Sequence, residues 1–378
     1  MIYLDSAATS LLKPPSVVQA VSAAIGQMAS SSRGAYASAL DAARLVYETR
    51  VMLAELFQCP QAEQVAFTAN STMALNTAIK GLLRPGDHVI TTALEHNSVL
   101  RPLYEVAEQG VELTIVPSDG AGNISYQALA AAVRPATRAV VCTHASNLTG
   151  NLVDLERVGA VCRERGLHFI LDAAQTAGVF PIDMERDHIA VVCFTGHKSL
   201  FGPQGTGGLC VRKGIALEPL ITGGSGIQTF SHKHPQQMPA RLEAGTLNGH
   251  GLAGLHAGLC YIKEIGLDSI RGRQAELLQR FYAGVQNLPG VKIYGDFSTW
   301  NRAAILSLNI GAEDSGIVSD RLSCDYDICT RSGGHCAPLM HEALGTVSQG
   351  AVRFSFSHFN TAAEIDQAIA AVKALAEE

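Results

Sequence analysis

The sequence predicts an α/β fold: a large domain on a seven-stranded, mostly parallel sheet, followed by a small α+β C-terminal domain. Between about residues 65 and 212, short apolar runs alternate with segments whose apolar residues recur at helical spacing. The runs are apolar throughout, as strands of a parallel sheet covered on both faces must be. Polar clusters stand where several of the runs end, and such sheets bind ligands beyond the C-terminal ends of their strands.

Taken in order, "QVAFT", "HVITT", "LTIVP", "AVVCTHAS", "HFILDAAQ", "VVCFTG" and "GGLCVR" read as the buried strands. Between them, "MALNTAIKGLL", "SVLRPLYEVAEQ", "YQALAAAV" and "LERVGAVCRERG" read as helices. The polar clusters at the strand ends are "TANST", "LEHNS", "HASNLTG", "DAAQ" and "TGHK". One long helical stretch is expected over roughly 247–287, linking to the second domain. The strands "AAILSLNI", "DICTRSG" and "AVRFSFSHF", a helix over 314–323 and the amphipathic "AAEIDQAIAAVKALAEE" form the rest. The division expected is 15–250 for the large domain and 1–14 with 251–378 for the small one.

Composition narrows the function classes. Of 378 residues, 47% are hydrophobic and 16% charged, a well-buried composition far from that of disordered chains. The net charge of −6, with no basic run, argues against a nucleic-acid partner. No apolar run of membrane-spanning length and no signal-peptide pattern occurs, so no membrane partner is expected. The nine cysteines are scattered and mostly inside apolar runs, a pattern of reduced thiols that points to the cytoplasm.

Six residues at four of the strand ends carry candidate chemistry. Lys198, in "CFTGHKSLFGPQGTGGL", is either a surface-loop lysine or, partly desolvated, an amine able to form an imine. Asp172, ending "FILD", is either a strand-end cap or a buried carboxylate that needs a cationic partner such as a protonated pyridine nitrogen. Asn70, Ser71 and Thr72 open a helix, where free N–H groups and hydroxyls either cap it or hold a phosphate. His96 is either a satisfied structural histidine or a ring that stacks and moves protons.

Together these residues, with "YLDSAAT", "TGHKSLFGPQG", "LDAAQTAG", "EAGTLN" and "RSGGHCAPLMH", resemble the class V branch of fold-type I enzymes that use pyridoxal 5'-phosphate (PLP). Within it they resemble the cysteine desulfurases and selenocysteine lyases. The resemblance runs from residue 3 to near 366 and implies the fold of a fold-type I PLP-dependent transferase. It implies Lys198 as the imine lysine and Asp172 as the partner of the pyridine nitrogen. Gln175 and Asn147 would contact the phenolic oxygen, and His96 would stack on the ring and act in proton transfer. Ser71, Thr72, Thr195 and His197 would hold the phosphate, and Thr246 would reach the phosphate of a neighbouring subunit, which implies a homodimer. Arg353 would take the substrate α-carboxylate through its planar fork, with Arg331 and Asn147 also at the substrate.

The same resemblance makes sense of "RSGGHCAPLMH". A loop at about 329–341 would present Cys336 as the nucleophile that attacks the substrate sulfur, with His335 and Arg331 favouring its thiolate. L-cysteine would give L-alanine and a persulfide on Cys336, passed to a protein or small-molecule acceptor. The alternatives are a selenocysteine lyase acting on L-selenocysteine, a class V aminotransferase or epimerase, and a non-enzymatic metal module of Cys324, Cys329, His335, Cys336 and His341. That last spacing lacks the close Cys pair of a zinc knuckle, and no metal is expected. Two departures stand out. Ser32, before Arg33, replaces a histidine common in the selenocysteine lyase branch, and the loop "GGHCAPLMH" lacks the second histidine and the Met-Pro order that other members have after the cysteine. The short stretch from Arg331 to Arg353 is similar to the short-loop desulfurases.

Overall fold

The computed structural model describes residues 1–31 and 34–378, so the departure at Ser32 and Arg33 lies outside the described residues. The chain begins with β1 (Ile2–Tyr3), α1 (Pro15–Gln27) and α2 (Ala37–Leu56). The alternating region contains β2 (Val65–Thr68), α3 (Ser71–Leu82), β3 (His88–Thr92), α4 (Asn97–Glu108) and β4 (Glu112–Val116). It continues through α5 (Tyr126–Ala131), β5 (Thr137–Thr143), α6 (Leu155–Arg165), β6 (His168–Asp172), β7 (Ile189–Thr195) and β8 (Gly207–Val211). Then come α7 (Gly249–Ile265), α8 (Leu267–Val285), β9 (Val291–Tyr294), β10 (Ile305–Ile310) and α9 (Ser315–Tyr326). The chain closes with β11 (Ile328–Cys329), α10 (Pro338–Leu344), β12 (Val352–Ser355) and α11 (Ala362–Glu377).

The central sheet has seven strands in the order β2-β8-β7-β6-β5-β3-β4. Only β8 runs antiparallel to its neighbours, so the sheet is mostly parallel, as expected. Successive side chains of a strand point to opposite faces, and both faces are buried. Val140, Cys142, Phe169, Leu171, Val192 and Phe194 join one core. Ala139, Val141, Ile170, Val191 and Cys193 join the other, under Leu75, Ile79, Val99 and Leu103 of α3 and α4. That two-sided burial is why the strands read as continuous apolar runs.

A three-stranded antiparallel sheet, β12-β10-β9, carries a third core with α8, α9 and α11. The N-terminus is stitched into this part: β1 pairs with β11 in parallel, placing Tyr3 beside Cys329, and Leu4 lies in the same core. The segment after β11 is the loop of Cys336.

The helical stretch expected over 247–287 is two helices. Gly266, at φ 85° and ψ 141°, ends α7 and starts α8 in a backbone conformation that side chains rarely adopt. Several elements were not read from the sequence at all. The helices α1 and α2 carry weak signals, chiefly the Pro14–Pro15 start, while β9 and α10 span only four and seven residues.

One buried ion pair ties the "EAGTLN" segment down. Arg50 of α2 grips Glu243 with both ends of its fork, at 2.7 and 2.8 Å, and lies over the ring of Phe67. Glu243 also accepts from the Phe67 N–H on edge strand β2 at 2.6 Å. Both side chains are under one-tenth exposed. Removing one member leaves an uncompensated buried charge. Glu243→Ala is expected to lower unfolding free energy by about 3–5 kcal/mol, read from a denaturant titration, whereas an exposed pair such as Lys263–Glu55 is expected to change it by less than about 1 kcal/mol when broken.

Candidate active site

The polar clusters converge as the sheet topology requires. A cavity of about 200 Å³ at the C-terminal ends of the strands is lined by Ser71, Thr72, His96, Asn147, Asp172, Gln175, Thr195, His197, Lys198, Arg331, His335 and Arg353. Eleven of these were singled out from the sequence as site residues; His335 was read as a neighbour of the nucleophile. Ala7 and Ala8 of the N-terminal segment close one wall.

Lys198 follows β7 in a turn that Gly196 and Gly202 tighten through hydrogen bonds of 2.8 Å. Its carbonyl and that of His197 accept from the Ser10 hydroxyl at 3.0 Å. Lys13 donates to Ser10 Oγ and to the Gly202 carbonyl, at 3.0 and 2.8 Å, bracing the turn from behind. Burial lowers the Lys198 pKa to about 8, against the opposing pull of Asp172 and helped by Arg353 and Arg331.

Asp172 is buried at the end of β6, where Oδ1 accepts from the Ala174 N–H at 2.9 Å and the Ser71 hydroxyl at 3.3 Å. Burial raises its pKa, while those hydrogen bonds and Lys198 oppose the rise. Asn70 caps α3 by accepting from the Met73 N–H at 2.9 Å. The other first-turn N–H groups and the Ser71 and Thr72 hydroxyls remain at the cavity. Gly207 allows this approach, since a Cβ there would meet Asn70 Cα at 2.7 Å.

His96 caps α4, its Nδ1 accepting from the Ser98 N–H at 3.0 Å, which leaves the neutral ring's proton on Nε2. Burial, with Lys198, Arg331 and Arg353 nearby, lowers its pKa to about 4. His197 is likewise lowered to about 4 by burial, and its Nδ1 pairs with Thr9 Oγ1 at 3.0 Å. Thr195 is buried beside Thr206, and Gln175 donates to the Ala7 carbonyl at 3.2 Å.

Arg353 is buried and already partnered. It donates to Asp5 at 2.8 Å and to the Asn147 carbonyl at 3.1 Å, while its Nε–H has no partner. Asp5 was not read as a site residue. Its partner lies 348 positions away, so no local pattern could pair them. Glu95 was also missed, although it adjoins His96. It is fully buried, accepts from the Thr92 hydroxyl at 2.6 Å and the Thr143 N–H at 3.1 Å, and has Oε2 without a partner. Burial pushes its pKa up to about 8, so this carboxyl is mainly neutral at pH 7.

Two residues fall outside the cavity lining. Thr246 is exposed in the segment before α7. Cys336 is exposed at the tip of its loop, beside cavity residues Arg331 and His335. His335 does not supply a positive charge there. Burial and the nearby Arg353 lower its pKa to about 3, and its ring stacks parallel to His341 at 5.8 Å. The sequence offered no sign of that burial. Cys324 and Cys329 of the metal reading sit in α9 and β11, and no group of three or more His, Cys, Asp or Glu among the described residues is placed to hold a metal ion.

An α/β sheet with a lysine, an aspartate and a helix N-terminus around one cavity at its strand ends defines a fold-type I α/β enzyme. The chain belongs to the family described as "Aminotransferase class-V", whose profile matches residues 2–368. It is 34% identical over 371 residues to a "Probable cysteine desulfurase" of Methanothermobacter thermautotrophicus, covering 96% of this chain and 92% of that protein. It is 30% identical over 381 residues to a "Cysteine desulfurase" of Salmonella typhimurium, covering 98% and 92%. Among solved structures, the apo cysteine desulfurase of Thermococcus onnurineus superposes with a TM-score of 0.93 at 31% identity, covering 100% of this chain and 94% of that one. A cysteine desulfurase of Escherichia coli gives 0.88 at 27% identity, covering 99% and 94%.

Proposed function

We propose that this chain is a PLP-dependent cysteine desulfurase that converts L-cysteine to L-alanine and carries the sulfur as a persulfide on Cys336. The observation that carries the reading is the cavity itself, where Lys198, Asp172 and Arg353 meet with Cys336 at the rim. The residues suit PLP. The first turn of α3 with Ser71 and Thr72 offers donors to a phosphate, the buried Asp172 suits a cationic ring nitrogen, and Lys198 is desolvated enough to act as a neutral amine. When bound, PLP supplies a sink for the electrons left as the substrate loses its Cα proton.

The chain's own residues do the rest. Lys198 Nζ takes and returns protons, its pKa near 8 letting it exchange them close to neutral pH. His96 is a neutral ring with a proton on Nε2, able to donate at that atom. Arg353 receives the substrate carboxylate on its unpartnered Nε–H and the remaining face of its fork, while Asp5 holds the far side. Asn147 and Gln175 supply polar groups to the phenolic oxygen. Cys336 Sγ, as thiolate, then forms an S–S bond to the substrate sulfur. The substrate C–S bond breaks, its electron pair stays on carbon, and that carbon is protonated to become the alanine methyl. No external oxidant is needed.

The persulfide forms on an exposed tip, open to a protein or small-molecule acceptor. A homodimer is part of this reading: Thr246 is exposed to reach a second copy, and apolar Val18, Ile25 and Phe230 stand 63%, 66% and 99% exposed on the monomer. No helix among the described residues is long and apolar enough to cross a membrane, and the nine cysteines carry free thiols, which suits a reducing cytoplasm.

The test is direct. Purified protein supplied with PLP is expected to show a visible cofactor band that changes on addition of L-cysteine, with alanine formed and, in the presence of a reducing thiol, one sulfide released per alanine. A protein that stays colourless after reconstitution overturns the reading.

A further inference from the structure

The tip of the Cys336 loop has an unusual backbone. His335 and Cys336 lie consecutively at φ 48° and 56°, in the left-handed region that non-glycine residues avoid. Such strain persists only where the surroundings over-determine it, and it clusters at functional sites. Here the surroundings are specific. The His335 carbonyl accepts from Asn147 Nδ2 at 2.8 Å, and the Cys336 carbonyl accepts from the Asn97 N–H at 2.7 Å. The loop also closes on itself, through Ala337 N–H to the Gly334 carbonyl at 2.9 Å. On its other flank, the Gly333 N–H reaches Ser315 Oγ at 3.2 Å.

One clasping group lines the cavity and the other adjoins its wall. Asn147 lines the cavity, and Asn97 stands between the cavity residues His96 and Ser98. The Asn97 amide is one of the first-turn N–H groups that a helix cannot satisfy internally. The cap on α4 serves a different one, the Ser98 N–H, so the Asn97 N–H is free for the loop.

We propose that the Asn97 N–H and the Asn147 side chain form a two-point clasp on the carbonyls of Cys336 and His335, and that Asn97 is a positioning residue for the Cys336 thiol. The role of that thiol rests on the desulfurase reading; the clasp itself does not. With both carbonyls held, the sulfur moves between rim and cavity by rotation about its own Cα–Cβ bond, and the loop backbone stays in place. Nucleophilic attack depends steeply on such placement.

Asn97→Pro tests this with little collateral change. Proline removes the N–H and is favoured at the first position of a helix. His96, at φ −71° and ψ 153°, already has the conformation that a following proline requires. Hydrogen exchange over residues 333–337 of the cofactor-loaded protein is expected to quicken about tenfold, as for one lost hydrogen bond. The kcat for alanine formation is expected to fall about tenfold, with the KM for L-cysteine and the visible band unchanged. Unchanged exchange, or faster exchange with unchanged kcat, overturns the positioning role. Asn147→Ala in cofactor-free protein supplies a second measurement should the proline variant not fold: unchanged exchange over 333–337 there overturns the clasp. Wild-type protein that binds PLP yet makes no alanine from cysteine overturns the desulfurase reading and leaves the exchange result to decide the clasp.

Discussion

Cys336→Ala is expected to cut alanine formation from L-cysteine by roughly 10³-fold or more while leaving the visible cofactor band unchanged. The side chain is exposed and does not line the cavity, so its loss removes no packing and touches no group proposed to hold the cofactor. Alanine also shares the Cβ of cysteine, so the left-handed backbone at φ 56° is no worse strained. What disappears is the sulfur proposed to take the substrate's sulfur. The other exposed thiols among the described residues are Cys260 and Cys324, and neither lines the cavity. Asp320 pushes the Cys324 pKa up, and burial raises Cys260, so both are weaker nucleophiles near pH 7. Their alanine variants are expected to turn over cysteine as the wild type does. Alanine assayed at matched cofactor content decides the matter. Wild-type turnover in Cys336→Ala removes the thiol from the mechanism, and loss of the band with activity relocates its effect to cofactor binding.

The parts of this site that could be read in the sequence are those with a local reason to be where they are. Asp172 ends an apolar strand and Lys198, His96 and Ser71 each follow one, and in a parallel sheet the C-terminal end of a strand is already at the ligand edge. Asn147, Gln175, Thr195, His197, Arg331 and Arg353 came from resemblance, and the same cavity gathers them. What could not be read depends on distance or on burial. The Asp5–Arg353 pair joins the two ends of the chain. His335 looked like a cation beside a thiol because nothing in "GGHCAP" says that its ring is enclosed and stacked on His341. The break at Gly266 was legible in principle, because a lone glycine between two helical patterns marks a C-cap as readily as a tolerated interior residue. The Asn97 clasp uses a main-chain N–H, which leaves no trace in residue identity.

Asp172→Asn separates two explanations of the same residue. As a strand-end acceptor, Asp172 takes the Ala174 N–H at 2.9 Å, and the side-chain oxygen of asparagine keeps that bond. As a counter-charge to a cationic ring nitrogen, it needs its negative charge, which asparagine lacks. Loss of one such preorganised electrostatic partner is expected to lower kcat roughly 10²- to 10³-fold, and the rise in thermal midpoint on adding PLP is expected to shrink. Stability of the cofactor-free protein carries an independent signature. Burial raises the folded-state pKa of Asp172 above its unfolded value, so the folded state holds the proton to higher pH than the unfolded chain does. Stability therefore falls as pH rises through the ordinary carboxylate range, from about 4 upward, and the asparagine variant is expected to show a shallower decline there in thermal scans. Glu95, raised by burial to about 8, adds a decline of the same sign that extends to higher pH and survives the substitution. If the variant keeps wild-type kcat and the full stabilisation by PLP, Asp172 is a cap and the cation it was proposed to hold lies elsewhere. A large loss of turnover with a flattened pH profile means that the protein sustains a carboxylate its own fold disfavours, because the bound cofactor needs one.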